Sequence, residues 1–154
     1  IVCGRTFTDT APGWGIAPMA AAMAGAAQVS AVDPDPLASA AIAMNAKANG
    51  VLIVPVMEDI LGNEPHADVI FIADLVYEPE LATRVPRFLD PPHREGVTVL
   101  LADRTTARRP PVELEFLARY RAPLTPMLDE SRFEDANVWR LETATQPSAL
   151  GKRT

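Results

Sequence analysis

The sequence predicts an α/β protein built as a three-layer sandwich around a mostly parallel sheet. Short apolar runs rich in β-branched residues alternate along the chain with segments of helical character, which is the pattern of βαβ units. The runs at about 51–56, 68–73 and 97–102 are short and apolar between polar or turn residues, as expected of strands that are buried on both faces. With 154 residues, of which 48% are hydrophobic and 22% charged, the chain has the size and composition of one globular domain.

The first part of the chain predicts three strands and two helices. Asp35 and Pro36 mark the start of the second helix, because aspartate caps helices and proline is tolerated in the first turn. Gly25 and Gly50 end the two helices, since glycine adopts the left-handed cap conformation. The predicted elements are strands at about 5–8, 28–32 and 51–56, and helices at about 16–24 and 36–49.

The second part predicts four more strands and completes a seven-stranded sheet. The expected elements are strands at about 68–73, 97–102, 119–124 and 137–141, and helices at about 80–88 and 112–118. No full helix separates the last two strands, so we expect them to form an antiparallel pair at one edge of the sheet. Residues 1–142 are predicted to form the domain, and residues 143–154 a flexible tail.

Composition excludes several classes of function. The net charge of −6 argues against nonspecific nucleic-acid binding, which depends on basic patches. The single cysteine, Cys3, excludes a disulfide framework and indicates a reducing, cytoplasmic location. No apolar run is long enough to cross a membrane. His66 and His93 fall in separate loops without other ligands at metal spacing, so no metal site is expected.

The strongest local signal is a turn between the first strand and the first helix. Small residues recur at alternate positions in Asp9-x-Ala11-x-Gly13-x-Gly15. Such a turn lets a ligand approach the backbone closely, and the helix behind it offers free N–H groups. The alternative is a plain strand-to-helix turn. A dinucleotide fingerprint requires a further glycine three residues after Gly15, where Pro18 stands instead.

Two carboxylates follow the second and third predicted strands. Asp33 ends the second strand twenty residues after Gly13, at the place where an acid accepts hydrogen bonds from ribose hydroxyls. The alternative role, capping the next helix, suits Asp35 better. Asp59 follows the third strand, where a carboxylate can accept from an adenine amino group, and a capping role there is equally compatible.

Asp74 and Tyr77 follow the fourth strand in the run Asp-Leu-Val-Tyr-Glu. The carboxyl ends of parallel strands face the ligand crevice where the strand order reverses. We therefore expect both side chains to lie in the site. For Tyr77, packing against a neighbouring helix is the alternative.

These motifs, together with Asp33-Pro34-Asp35-Pro36 and the run from Asn45 to Gly50, make the chain resemble the class I, or seven-β-strand, methyltransferases. That resemblance implies a Rossmann-like fold and S-adenosylmethionine as cofactor. More narrowly, the chain is similar to the family that includes the lysine methyltransferase of the electron-transfer flavoprotein β subunit and nicotinamide N-methyltransferase-like proteins. The resemblance extends over about residues 7–141.

The resemblance implies roles for residues on the turn and at strand ends. Asp33 would hold the ribose and Asp59 the adenine, while Asp74 and Tyr77 would act as catalytic residues that orient an amine. A tryptophan at position 14 departs from the family and would either stack on the cofactor or obstruct it. The implied cofactor-binding residues are Asp9, Ala11, Gly13, Trp14, Gly15, Asp33 and Asp59.

By this resemblance the expected function is N-methylation of a lysine on a protein, with the electron-transfer flavoprotein β subunit as candidate substrate. A noncatalytic methyltransferase-like binding module is the alternative, because Ala11 stands where the family has glycine. An NAD(P)-linked oxidoreductase is a third reading, by analogy of fold alone. The family places a covering segment before the turn, and we expect that it is missing from a sequence that starts at Ile1 without methionine. The sequence does not indicate an oligomeric state.

Overall fold

The computed structural model describes residues 1–59, 66–73, 96–104, 113–123 and 133–141, which form seven strands and two helices. Neither of these helices is long and apolar enough to span a bilayer. In chain order the elements are β1 (Thr6–Thr10), α1 (Ile16–Met23), β2 (Gln28–Val32), α2 (Pro36–Asn49), β3 (Val54–Val56), β4 (Val69–Ala73), β5 (Thr98–Arg104), β6 (Leu114–Pro123) and β7 (Phe133–Leu141).

The seven strands form one sheet in the order β3-β2-β1-β4-β5-β7-β6. The first five strands in the chain pair in parallel. The last two are antiparallel, with β7 inserted between β5 and β6. The predicted fold class, a mostly parallel seven-stranded sheet with an antiparallel pair at its C-terminal edge, is confirmed.

The strand order reverses at β1. From β1 the chain moves outward through β2 to β3, and then returns to place β4 on the other side of β1. In open α/β sheets such a reversal opens a crevice at the carboxyl ends of the strands, where ligands bind. Because right-handed crossovers are the rule, α1 and α2 lie on the same face of the sheet. The helix predicted at 80–88 lies outside the described residues.

Both faces of β4 and β5 are buried, which explains the continuous apolar runs in these two strands. Side chains alternate between two clusters, because successive residues of a strand point to opposite faces. The cluster on the α1 face contains Phe7, Ala21, Val29, Val69 and Leu100. The cluster on the other face contains Val32, Ile70, Ile72, Val99, Leu101 and Leu141.

The predicted signals at the ends of α2 are confirmed. The Asp35 carboxylate accepts a hydrogen bond from the backbone N–H of Leu37 at 2.8 Å, and Pro36 is the first helical residue. Gly50 ends the helix with a φ of 64°. The N–H of Gly50 lies 3.3 Å from the carbonyl oxygen of Lys47. Local sequence therefore sets the limits of α2.

β1 and β3 differ in length from the prediction. β1 extends to Thr10, beyond the predicted end at residue 8, because its threonines are buried; the Thr10 hydroxyl donates to the Phe71 carbonyl at 3.1 Å. β3 has only three residues. It lies at the edge of the sheet, and Leu52, which precedes it, is 92% exposed. The apolar residues at 51–56 therefore do not indicate a strand that is buried on both faces.

The helix predicted at 112–118 is wrong, since residues 114–118 form the first half of β6. Its leucine and alanine residues favour helix locally, but pairing with β7 along the whole strand overrides that propensity. A register shift between Phe116 and Ala118 breaks the alternation that would reveal a strand. The strand predicted at 119–124 is the second half of β6, and β7 begins at Phe133 instead of 137.

Side-chain contacts reinforce this antiparallel edge. The Phe116 and Trp139 rings pack edge to face with centroids 5.1 Å apart. The buried Asn137 accepts from Arg119 Nε at 3.0 Å and donates to the Asp103 carboxylate at 3.2 Å. Asn137 thereby connects all three strands β6, β7 and β5.

Four residues join the amino ends of β1, β4 and β5, and we refer to Arg5, Thr6, Asp68 and Thr98 as the amino-end clamp. Asp68 Oδ2 accepts from the Thr6 backbone N–H at 2.8 Å and from its hydroxyl at 2.9 Å. The Arg5 guanidinium donates to the Asp68 carbonyl at 2.7 Å and to the Thr98 hydroxyl at 3.1 Å. The two bonds from Thr6, and next the Arg5 charge, hold the pKa of Asp68 below its ordinary value of 3.8.

Replacing Asp68 by asparagine should lower the urea midpoint of unfolding at neutral pH, because a neutral amide accepts more weakly than a carboxylate. The folded pKa of Asp68 lies below 3.8, so the stabilisation is complete above that pH and is lost as the pH falls through the folded value. The midpoint difference between wild type and Asp68→Asn should therefore stay constant from about pH 7 to 5 and shrink at lower pH. Urea titrations across this range test it, and a difference that grows on acidification would contradict it.

Candidate functional site

The turn after β1 folds back sharply because three of its residues have left-handed backbones. Ala11, Gly13 and Gly15 have φ values of 59°, 54° and 84°. Among the described residues, Ala11 is the non-glycine residue with positive φ. The N–H of Gly15 donates to the Pro12 carbonyl at 2.9 Å, which closes the turn at the start of α1.

Gly13 and Gly15 have different surroundings. A Cβ atom on Gly15 would lie 3.1 Å from Ile42 Cγ1, so the start of α1 packs directly on α2. A Cβ atom on Gly13 would meet nothing within 4 Å. Gly15 therefore seats the turn against the protein, whereas the backbone at Gly13 borders open space that a ligand can enter.

Helix α2 holds the turn through residues that sequence reasoning missed. Asn45 Nδ2 donates to the Trp14 carbonyl at 2.9 Å. Asn49 Nδ2 donates to the Asn45 carbonyl at 2.8 Å and to Met19 Sδ at 3.4 Å. With Ile42, these asparagines occupy positions i, i+3 and i+7, which share one face of a helix. That spacing was the available signal in the sequence.

Trp14 contributes its carbonyl to this contact, while its side chain is 74% exposed. Ile16, on the other side of Gly15, is also exposed. The indole therefore stands at the protein surface beside the turn. Its predicted effect on the cofactor, stacking or obstruction, stays a prediction.

Asp9 lies at the carboxyl end of β1, with Ala31 of β2 and Phe71 of β4 as its register neighbours. It is 2% exposed, and its Oδ1 atom has no hydrogen-bond partner among the described residues. Burial raises the pKa of Asp9 to about 8; a hydrogen bond from the Thr10 backbone opposes the rise, and the charge of Asp33 adds to it. A buried acceptor without a donor is costly and rare in native proteins, so this atom indicates where a ligand donor or cation fits.

Asp33 follows β2 at the same edge of the sheet. Its backbone N–H donates to the Val56 carbonyl at 3.0 Å, and its Oδ1 atom accepts from the Asp35 backbone N–H at 2.9 Å. One carboxylate oxygen thus shapes the entry to α2, while Asp35 provides the helix cap itself. The charge of Asp33 also contributes, after burial, to the raised pKa of Asp9.

Of the three other predicted site residues, the structure describes only Asp59. Asp59 lies three residues beyond β3 and is exposed, and the residues that it would cap lie outside the described ranges. Asp74 and Tyr77 also lie outside them, although Asp74 directly follows Ala73, the last residue of β4. Across the part of the chain that the structure describes, no three potential metal ligands come together. The structure thus brings together the turn, Asp9 and Asp33.

The family model of the ribosomal protein L11 methyltransferase (PrmA) matches residues 2–100, a range that contains the turn, Asp9 and Asp33. The chain belongs to this methyltransferase family. Its cofactor is accordingly S-adenosylmethionine. The residues present fit that group, because its ammonium group can supply a donor to the Asp9 oxygen that has no partner among the described residues.

Curated relatives narrow the similarity. The electron transfer flavoprotein beta subunit lysine methyltransferase of Rattus norvegicus is 29% identical over 146 residues, which are 90% of this chain and 57% of the rat protein. The Xenopus laevis protein of the same name is 32% identical over 149 residues, covering 92% of this chain and 61% of the relative. This chain therefore spans about three fifths of the length of these relatives.

Solved structures share the fold. The ribosomal protein L11 methylase of Lactobacillus delbrueckii subsp. bulgaricus has a TM-score of 0.60 at 21% identity, covering 92% of this chain and 73% of that one. The magnesium protoporphyrin IX methyltransferase of Synechocystis PCC 6803, solved with bound SAM, has a TM-score of 0.63 at 13% identity, covering 92% of this chain and 72% of that one. At these identities the matches establish the architecture alone.

The ligand-free protein should lose stability as the pH rises through the titration of Asp9. Its folded pKa of about 8 lies above the ordinary 3.8, so the folded state binds the proton more tightly than the unfolded chain. The associated stability is complete below 3.8 and lost as the pH rises through about 8. Relative to Asp9→Asn, the free energy of unfolding of wild type should fall by up to about 1.4 kcal/mol per pH unit between these values.

Urea titrations of both proteins at pH 5, 6, 7 and 8 measure this difference. Parallel pH profiles for wild type and Asp9→Asn would show that Asp9 titrates normally.

Proposed function

We propose that this protein is an S-adenosylmethionine-dependent methyltransferase that N-methylates a lysine side chain of another protein. The observation that best supports a cofactor site is the buried Asp9 carboxyl oxygen, which has no hydrogen-bond partner among the described residues. It lies beside a turn that borders open space at Gly13. It lies at the strand reversal, where α/β folds bind ligands. When bound, the cofactor supplies a methyl group already activated by its sulfonium.

The turn and Asp9 bind the methionine side of the cofactor in this proposal. Ala11, Gly13 and Gly15 contribute backbone that a ligand can approach closely, and the first N–H groups of α1 are available beside them. The cofactor ammonium placed at Asp9 gives its unpaired oxygen a charged donor. Such a cation also favours the ionised carboxylate, which lowers the pKa of Asp9.

Asp33 and Asp59 bind the nucleoside side. Asp33 uses one oxygen for the Asp35 N–H and directs its carboxylate to the ribose hydroxyls at the end of β2. Asp59 follows β3, the next strand outward, and accepts from the adenine amino group. The exposed Trp14 indole covers the cofactor from the turn side. The cofactor would therefore lie across the strand ends, with its methionine part at β1 and its adenine at the β3 edge.

The acceptor site lies on the opposite side of β1, where Asp74 and Tyr77 follow β4. An amine must lose its proton before it attacks, and Asp74 is proposed to hold the amine and receive that proton while Tyr77 orients it. Two relatives are named as lysine methyltransferases of the electron transfer flavoprotein beta subunit, which makes this subunit the first candidate substrate. A net charge of −6 is compatible with a basic segment docking here.

Methyl transfer is favoured over the two other readings by separate observations. Family membership argues against an NAD(P)-linked oxidoreductase. The noncatalytic binding module rests on Ala11, whose φ of 59° is a conformation that glycine adopts more easily. Ala11 nevertheless forms the turn, and its N–H donates to the Val32 carbonyl at 2.9 Å, which supports a binding role for the turn with alanine at this position.

Asp33→Ala should weaken binding of S-adenosylhomocysteine by tenfold or more, because each hydrogen bond to a charged acceptor contributes about 1.5–3 kcal/mol. Asp35→Ala is the matched control: it removes the α2 cap at a cost of about 0.5–2 kcal/mol in stability but leaves the ribose acid in place. Calorimetry on both variants separates the roles. Equal affinity in wild type and Asp33→Ala would remove Asp33 from the cofactor site.

The full chain, incubated with methyl-labelled S-adenosylmethionine and purified electron-transfer flavoprotein, should transfer label to lysine of the β subunit. Asp74→Ala should abolish transfer while S-adenosylhomocysteine still binds, because the acceptor side alone is changed. Flavoprotein whose lysines have been chemically acetylated is the control and should take up no label, because an amide nitrogen does not attack the methyl group. Cofactor binding without any transfer to protein would support the noncatalytic module, and label on small amines alone would point to a different acceptor.

A further inference from the structure

The contact between α2 and the glycine turn joins segments that are far apart in sequence. Asn45 Nδ2 donates to the Trp14 carbonyl at 2.9 Å across 31 residues. This carbonyl belongs to the peptide between Trp14 and Gly15. Because a peptide unit is planar, fixing its oxygen also fixes the direction of the Gly15 N–H. That N–H is the group that donates to Pro12 and closes the turn.

Two neighbouring contacts of α2 also restrain the turn and the first part of α1. Ile42, one turn before Asn45, packs beneath Gly15, where an added Cβ atom would come within 3.1 Å of its side chain. Asn49, one turn after, donates to Met19 Sδ at 3.4 Å and so reaches α1 itself. One face of α2 therefore holds the turn and the first part of α1 at three successive points.

The composition of α2 sets Asn45 apart. Its sequence, PLASAAIAMNAKAN, is dominated by alanine, the most favourable helix former, whereas asparagine in a helix interior is less favourable. Asn45 is half-buried, and its side-chain amide is directed to a backbone group outside its own helix. Its bond to the turn offsets this lower propensity.

We propose that Asn45 is a positioning residue that fixes the Trp14–Gly15 peptide and thereby keeps the cofactor-binding turn in its binding conformation. The inference rests on the proposed cofactor site. α2 then serves both halves of that site, since the carboxylate of Asp33 is tied to the N-cap residue of the same helix. Without Asn45, this peptide gains freedom that cofactor binding must remove, so affinity decreases although no cofactor contact is lost.

The test uses Asn45→Asp, which keeps the shape of the side chain but cannot donate to the Trp14 carbonyl. Binding of S-adenosylhomocysteine, measured by calorimetry, should weaken about tenfold, the effect of losing one hydrogen bond. Lys47→Gln is the matched control, because it makes the same change in net charge at an exposed position two residues away. Its affinity should equal that of wild type.

Amide hydrogen exchange of the ligand-free proteins supplies a readout that does not depend on the cofactor. Exchange of the Gly15 N–H should accelerate in Asn45→Asp and not in Lys47→Gln, while amides of the central strands keep wild-type rates. Asn45→Ala is the second variant, for use if Asn45→Asp folds poorly, because alanine is the commonest residue of α2. It also lacks the donor, so the same loss of affinity and faster Gly15 exchange are expected.

Unchanged affinity and unchanged Gly15 exchange in both Asn45 variants would overturn the inference. A loss of affinity accompanied by uniformly faster exchange would show a merely structural role and overturn it as well. If wild type itself fails to bind S-adenosylhomocysteine, the proposed function fails, whereas the exchange measurement still decides whether Asn45 restrains the turn.

Discussion

The turn after β1, where we propose that the cofactor binds, depends on the close approach of Gly15 to Ile42. A side chain at Gly15 would meet Ile42 at 3.1 Å, and the backbone there has a φ of 84°, so two independent constraints require glycine. This contact sets where α1 begins relative to α2. With α1 in place, the turn can close through the Pro12 carbonyl and leave the Gly13 side open.

The site is maintained at a cost to the ligand-free fold. Asp9 is held between two parallel strands with a carboxyl oxygen that has no donor among the described residues, and burial raises its pKa to about 8. A hydrophobic residue would suit the core better, but it would not attract a cation. Binding sites commonly retain such locally unfavourable groups, because the ligand removes the penalty and that relief contributes to affinity.

Sequence reasoning succeeded where structure is determined locally. Asp35, Pro36 and Gly50 set the limits of α2 because caps act within a few residues. It failed for β6, whose register shift at Phe116 hides the alternation of a strand. The contact of Asn45 with Trp14 and the unpaired oxygen of Asp9 depend on distant segments packing together. The spacing of Ile42, Asn45 and Asn49 indicates that they share a helix face, but it does not reveal what that face contacts. Asp74 and Tyr77 remain predictions.

The amino-end clamp has a consequence for the order of folding. Thr6 is bonded to Asp68 across 62 residues, and Arg5 to Thr98 across 93, so the central strand β1 acquires its second neighbour only through contacts of long range. Such non-local pairing slows folding, since loops must close before the contacts form. On the ribosome β1 therefore lacks this neighbour until β4 has been synthesised, and an unpaired strand edge favours wrong strand pairing.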